Sequence, residues 1–309
     1  MLMYGFLKVG EVQLYMRLKS SKVRGLDLLL LPWTSTSKWL RRLPGALSLA
    51  LLFQISATAH AEPDGANQED LINPDRPGIA DGSNVVGTGR FQVETGIQLE
   101  YRRDRSSRER TTFAPTLLRL GIYEGLEARL ESNTYTWMKS SDVLDGVSRT
   151  DGASPTSIGF KYHFIDGAGI ERPSVGAILR VFPPSGSRNF RSRHTVGDFR
   201  LAADWDFAPQ WSLNPNIGVA LLEGSDKRTY MTGLFAATLS YNPSKKLNLF
   251  VDMGLQSPEE KGGKSSLIVD VGMAYIIGEN LQLDFSLGAG IAGATPPRRF
   301  LSAGISKRF

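Results

Sequence analysis

From position 91 the chain alternates. Phe91, Val93, Thr95, Ile97, Leu99 and Tyr101 fall on one parity, and Gln92, Glu94, Gly96, Gln98 and Glu100 on the other. A period of 2 held over eleven residues predicts a strand with one apolar face, long enough to cross a bilayer when tilted. Similar stretches recur at 111–123, 126–139, 156–164, 174–182, 196–207, 211–222, 229–241, 247–256, 265–277, 281–293 and 300–309, twelve strands in all. The third changes face, because Leu126, Ala128 and Leu130 are even whereas Tyr135 and Trp137 are odd. A β-bulge near Ser132 and Asn133 reconciles them.

The connections alternate in kind. Those at 123–125, 165–172, 208–210, 242–246 and 278–280 are mostly tight turns, suited to the periplasmic side. Those at 102–110, 140–155, 183–195, 223–228, 257–264 and 294–299 are mostly longer and charged, suited to the outside. Phe91, Phe164, Phe207, Trp211, Tyr241, Tyr275 and Phe309 all fall at periplasmic strand ends on the apolar parity, where rings favour the membrane interface. The expected fold class is therefore all-β: a transmembrane antiparallel up-and-down β-barrel of about 12 strands. Its last strand must pair with its first, since an open edge is not tolerated in hydrocarbon. The closing stretch, RRFLSAGISKRF, resembles the C-terminal signal of outer-membrane barrels, with Gly304 and Phe309 in place and Lys307 where a second aromatic is usual.

Upstream, Lys38, Arg41 and Arg42 precede an apolar run at 43–55 and the small-x-small site Ala59-His60-Ala61. This is the form of a signal peptide over 38–61, cleaved near Ala61. Residues 1–37 are a leader extension or reflect a start assigned too early, 62–90 a polar periplasmic lead-in, and 91–309 the barrel. That lead-in either enters the lumen or trails in the periplasm. The first 61 residues carry 8 of the 36 basic and 2 of the 31 acidic side chains, which leaves 28 against 29. The basic balance thus belongs to the leader and is no nucleic-acid footprint. With no cysteine, thiolate chemistry and disulfides are excluded.

Asn73-Pro74-Asp75-Arg76-Pro77-Gly78 of the lead-in is followed, after a spacer, by Gly87-Thr88-Gly89-Arg90-Phe91-Gln92-Val93-Glu94-Thr95-Gly96. This DRP, spacer, G-x-x-x-x-E-x-G arrangement resembles the outer-membrane transporter family associated with phenol-degradation (MetA-like) pathways. The resemblance implies passive passage of a hydrophobic or aromatic solute across the Gram-negative outer membrane.

Catalytic and metal sites are not expected, nor any cofactor. Mature histidines are confined to His163 and His194, and a hydrolase at the outer rim built on His194 with Asp198 is the enzyme alternative. Lumen-lining residues follow from the polar parity: Glu94, Arg119, Glu127, Arg129, Lys161, Arg180, Asp198, Arg200 and Asp204 on strands one to six, Asp252, Asp270 and Asp284 on strands nine to eleven. One wall is mixed and arginine-rich, the other purely acidic. They either pair across the lumen, giving a plugged structural or surface-interaction barrel, or leave a field that favours cations. Expected partners are membrane lipid, the barrel assembly machinery and a small-molecule solute. Arg102, Arg103, Arg105, Arg108, Arg110, Arg188, Arg191 and Arg193 in the outer loops add lipopolysaccharide phosphates.

Overall fold

In the computed structural model, residues 70–309 are described apart from 104–106, 143–145, 225, 257, 259–262, 294–296 and 298. The leader, the signal peptide, the start of the lead-in and Arg105 lie outside the described residues. Every regular element among the described residues is a strand: β1 (Phe91–Arg103), β2 (Ser107–Phe113), β3 (Thr116–Tyr123), β4 (Leu126–Ser132), β5 (Tyr135–Asp142), β6 (Gly146–Ala153), β7 (Thr156–Ile165), β8 (Ser174–Phe182), β9 (Val196–Ala208), β10 (Trp211–Glu223), β11 (Thr229–Ser244), β12 (Leu247–Gln256), β13 (Ser266–Ile277), β14 (Leu281–Ala292) and β15 (Arg299–Arg308).

These fifteen segments make twelve staves. β1 pairs with β3 over its lower half and with β2 over its upper half, so β2 and β3 are one stave interrupted at Ala114-Pro115. In the same way β4 runs on into β5, and β6 into β7, across Asn133-Thr134 and Ser154-Pro155. Proline cannot donate to a ladder, and Thr134 sits at φ 47°, a left-handed conformation that ends regular pairing. The breaks align across the wall: Pro115 O accepts from Gly96 N at 3.1 Å, Asn133 O from Ala114 N at 3.3 Å, and Thr134 O from Ser154 N at 2.8 Å. All pairings are antiparallel, and β15 pairs with β1 over ten residues to close the barrel.

The face switch in the third stave falls at this break. Glu127, Arg129 and Glu131 of β4 point inward and are buried, while beyond it Thr136 is buried and Tyr135 and Trp137 are exposed. The outer loop expected at 140–155 is mostly strand instead, a hairpin in which β5 and β6 pair from Tyr135 with Ala153 to Asp142 with Gly146. β6, GVSRTDGA, is exposed on both faces but for Thr150 and Gly152, so it carries no alternation for a sequence reading to find.

Outside, a band of apolar side chains faces the bilayer, among them Ile97, Leu120, Ile158, Leu179, Ile217, Val251, Met273, Leu287 and Leu301. Such residues bury against lipid what a soluble protein would bury in a core. The lower rim carries the expected aromatics, several in ring contact: Phe91 with Phe309 at 6.1 Å across the closing seam, Trp211 with Tyr241 at 5.0 Å, Trp205 with Phe207 at 5.8 Å and Tyr162 with Phe164 at 6.4 Å.

Candidate functional site: the occupied lumen

The lead-in enters the lumen. Near the lower mouth, Arg308 Nη1 donates to Asp70 at 2.9 Å, Arg90 pairs with the same carboxylate, and Ile72 N donates to Glu279 O at 2.7 Å in the β13–β14 turn. The chain rises through Asp75, Arg76, Ile79 and Asp81, all buried, and returns past Val86 to Gly89, whose N–H meets Gly121 O at 2.9 Å before β1 begins. Proline, glycine and asparagine in this stretch suit a path without regular pairing, so its backbone groups rely on inward side chains.

Its charges match the two walls. Asp75 accepts from Lys161 Nζ at 2.8 Å and Arg129 Nη1 at 2.6 Å, and Arg119 lies 3.7 Å away. Asp81 lies 3.1 Å from Arg200, 3.4 Å from Arg129 and 3.6 Å from Arg180. Arg76 turns to the acidic wall, donating to Asp284 at 2.9 Å and to Ser302 Oγ at 3.1 Å. Backbone donors complete the seat: Arg76 N to Glu94 at 3.0 Å, Ile79 N to Asp252 at 2.8 Å, Asp81 N to Asn216 at 2.8 Å, Ser83 N to Asp204 at 2.8 Å and Val86 N to Glu127 at 2.8 Å.

Two glycines make room for the Arg76 guanidinium. A Cβ on Gly304 would lie 2.3 Å from Nη2, and one on Gly96 would lie 2.7 Å from it. The two halves of the DRP and G-x-x-x-x-E-x-G motif therefore meet in space. Asp75 and Arg76 dock, Glu94 takes the Arg76 amide, and Gly96 leaves the gap.

All twelve residues read from the polar parity face inward; eleven are buried and Asp204 is half-buried. On the mixed wall Arg119 bridges Glu94 at 3.0 Å and Glu127 at 2.9 Å, and Arg180 bridges Asp198 at 2.9 Å and Glu131 at 3.2 Å. Arg200 joins Asp198 at 2.9 Å. The walls are bridged by the inserted segment, with Asp75 and Asp81 on one side and Arg76 on the other. Glu131, Asn216 and Gln282, which accept from or donate to this network, escaped the sequence reading, as did the docking role of Asp75, Arg76 and Asp81. The surplus of arginine on one wall and of aspartate on the other was the signal that a third, complementary element was needed.

The acidic wall is less complete. Asp252 and Asp270 stand directly opposite on β12 and β13. Asp252 Oδ1, both Asp270 oxygens, Ser286 Oγ and Thr238 Oγ1 are buried with no hydrogen-bond partner among the described residues.

His194 does not join Asp198. Its Nδ1 lies 2.9 Å from Glu223 in an exposed setting, while Asp198 is committed to Arg180 and Arg200, so no triad forms there. His163 contacts Ser83 O at 3.3 Å and Asp166 at 3.0 Å near the lower end. Among the described residues no group of three or more His, Cys, Asp or Glu is placed to hold a metal ion. Between the returning lead-in and the lower rim lies a cavity of about 540 Å³ bordered by Asn73, Asn84, Thr88, Arg90 and Arg308.

The family described as "Putative MetA-pathway of phenol degradation" matches residues 74–309. No curated protein matches the chain. Among solved structures it resembles the COG4313 outer membrane channel from Pseudomonas putida F1, with 12% identity, 77% of this chain and 100% of that one covered, and a TM-score of 0.57. The translocator domain of the autotransporter NalP from Neisseria meningitidis is more distant, with 13% identity, 74% and 91% covered, and a TM-score of 0.45.

Proposed function

The chain belongs to the MetA-pathway phenol-degradation family, and from that premise we propose that it is an outer-membrane channel for passive passage of a small hydrophobic or aromatic solute, closed here by residues 70–86. The observation that carries this reading is the charge match between lead-in and walls. A segment that leads into β1 supplies Asp75 and Asp81 to one wall and Arg76 to the other. A segment held by ion pairs and hydrogen bonds trades those bonds for water when it leaves, whereas a packed apolar core could not.

The twelve inward residues are the route that opens. Seven are acidic and five basic, so an unplugged lumen favours cations and tolerates polar groups on an otherwise apolar solute. The exposed Arg188, Arg191 and Arg193 sit where lipopolysaccharide phosphates would meet the outer rim, and Phe309 and Gly304 serve recognition by the assembly machinery after cleavage near Ala61.

The test is uptake of labelled phenol by a porin-deficient Gram-negative strain, comparing cells with the intact chain, with a variant lacking residues 70–86, and with no channel. Uptake above the empty strain, raised further by the deletion, is expected. Equal uptake in all three would leave a plugged structural barrel.

A further inference from the structure

We propose that the outward face of β1, β2, β5, β6 and β15, at the upper end of the barrel, is a seat for lipopolysaccharide, in which Arg110, Lys139 and Arg149 hold the phosphates of its lipid A. This rests on the outer-membrane placement argued above and is independent of what the lumen passes. The strand register puts the three cations side by side, because Arg110 is the direct partner of Lys139 and Lys139 of Arg149. The same row continues through Tyr101, opposite Arg110 on β1, to Arg299 on β15, whose guanidinium lies 5.2 Å from the centre of the Tyr101 ring. One row higher, about 7 Å along the strands, Arg103 and Arg108 are partners as well. These positions share the outward parity of Ile97, Trp137 and Leu301, and all six cations are exposed.

Like charges set directly opposite one another weaken a sheet, since register partners on one face stand only about 5 Å apart. The carboxylates that would offset them are turned away. Glu100 and Glu109 are on the lumen parity and lie 3.5 Å and 3.7 Å from Arg102. Asp151, the one acid on this outward face among the described residues, takes the hydroxyl of Tyr135. The protein thus lines up cations on a lipid-facing wall without supplying their counter-charge, and an anion from outside completes the arrangement.

The residues below the row fix the level at which that anion sits. Tyr135 and Trp137, on the strand that carries Lys139 and just beneath it, are exposed with ring centroids 4.8 Å apart. Amphipathic rings on the outer wall of a barrel mark the height where hydrocarbon gives way to headgroups. Under them, Ile97 and Leu301 offer apolar surface to acyl chains. The cations therefore stand one step above the hydrocarbon, where the outer leaflet of a Gram-negative outer membrane carries the phosphorylated disaccharide of lipid A. Guanidinium groups take phosphate bidentately, and the Lys139 ammonium between two of them adds a point charge. Arg188, Arg191 and Arg193 belong to a loop with no strand register to fix their spacing, so the strand row is the main seat and the loop a secondary contact.

The test uses the full-length protein, refolded in detergent free of lipopolysaccharide, and titrates it with deep-rough lipopolysaccharide, with the same glycolipid stripped of its phosphates, and with phosphatidylglycerol, counting bound lipid by native mass spectrometry. The combined variant Arg110→Gln, Lys139→Gln, Arg149→Gln is expected to bind lipopolysaccharide about tenfold more weakly or worse, and Arg188→Gln, Arg191→Gln, Arg193→Gln less than about threefold more weakly. Stripping the phosphates should bring the unaltered protein down to the level of the strand variant. Lys139→Gln alone, at the centre of the row, should weaken binding about threefold and replaces the combined variant if that does not refold. Unchanged binding in the strand variants, an equal loss in the loop variant, or phosphatidylglycerol held as tightly as lipopolysaccharide would overturn the proposal. If it is overturned while deletion of 70–86 still raises phenol uptake in cells, the lipid seat is wrong and the channel stands; if that deletion changes nothing, the channel reading falls on its own.

Discussion

At the scale of single residues, the plug is held where a buried charged group has fixed partners and no room to move. Arg76 is the plainest case, wedged between Asp284, Ser302 and the bare faces of Gly96 and Gly304. Gly304→Ala puts a methyl group into the guanidinium itself, whereas at Gly96 the nearest obstacle is the wall backbone, Ala303 O. Gly304→Ala should therefore expel Arg76 and spare the wall. The amides of Ile79 and Val86, bonded to Asp252 and Glu127, are expected to exchange with deuterium at least tenfold faster, about 1.4 kcal/mol of lost seating. Asp75→Leu should loosen them further, by about 3–5 kcal/mol, because it leaves Lys161 and Arg129 facing each other without their shared carboxylate. Exchange unchanged in both would mean that the ion pairs do not hold the segment. Parity alone located the inward side chains, since alternation needs only the chain. The partners of Asp75, 86 residues away at Lys161, were invisible because nothing local records a contact at that distance.

At the scale of elements, strands were legible where the bilayer imposes two different faces and illegible where water lies on both. β1 begins at Phe91, the first residue of the alternation, and runs two residues past Tyr101 into a polar extension. β6 has no apolar face, and only its pairing with β5 shows it to be a strand. An element that stands above the membrane and supports nothing below should be dispensable. Excising 140–148 and joining Lys139 to Arg149, its register partner, through a two-residue Asn-Gly turn is expected to leave the barrel's heat resistance on gels unchanged. The breaks below it are a different matter, because Thr134 holds a left-handed backbone that β-branched residues resist. Thr134→Asn should be tolerated there, whereas Thr134→Val, equally β-branched but without the hydroxyl bond to Ala114 O at 2.8 Å, should lower the unfolding temperature.

At the scale of the whole molecule, the barrel is two walls of unlike charge with a segment of its own chain paired between them. Removing that segment exposes an acidic excess on the inward face, so the open form should pass cations in preference to anions. Replacing Asp252, Asp270 and Asp284 together with asparagine in the barrel lacking 70–86 is expected to shift the reversal potential towards zero or to the anion side. An unmoved potential would remove these three from the route. The outline of the barrel was written in its strand periods and its aromatic rim. Closure of the lumen stood there only as one of two alternatives, because the lead-in has no period and its fit becomes visible only when both walls are in place.

The most direct test of the plug is conductance across a planar bilayer, comparing the full-length folded protein with a variant that lacks residues 70–86 but keeps every strand. The intact protein should show rare or no openings, and the variant steady, discrete, cation-preferring steps. Equal conductance in the two, open or silent, would contradict the assignment of this segment as the element that closes the channel.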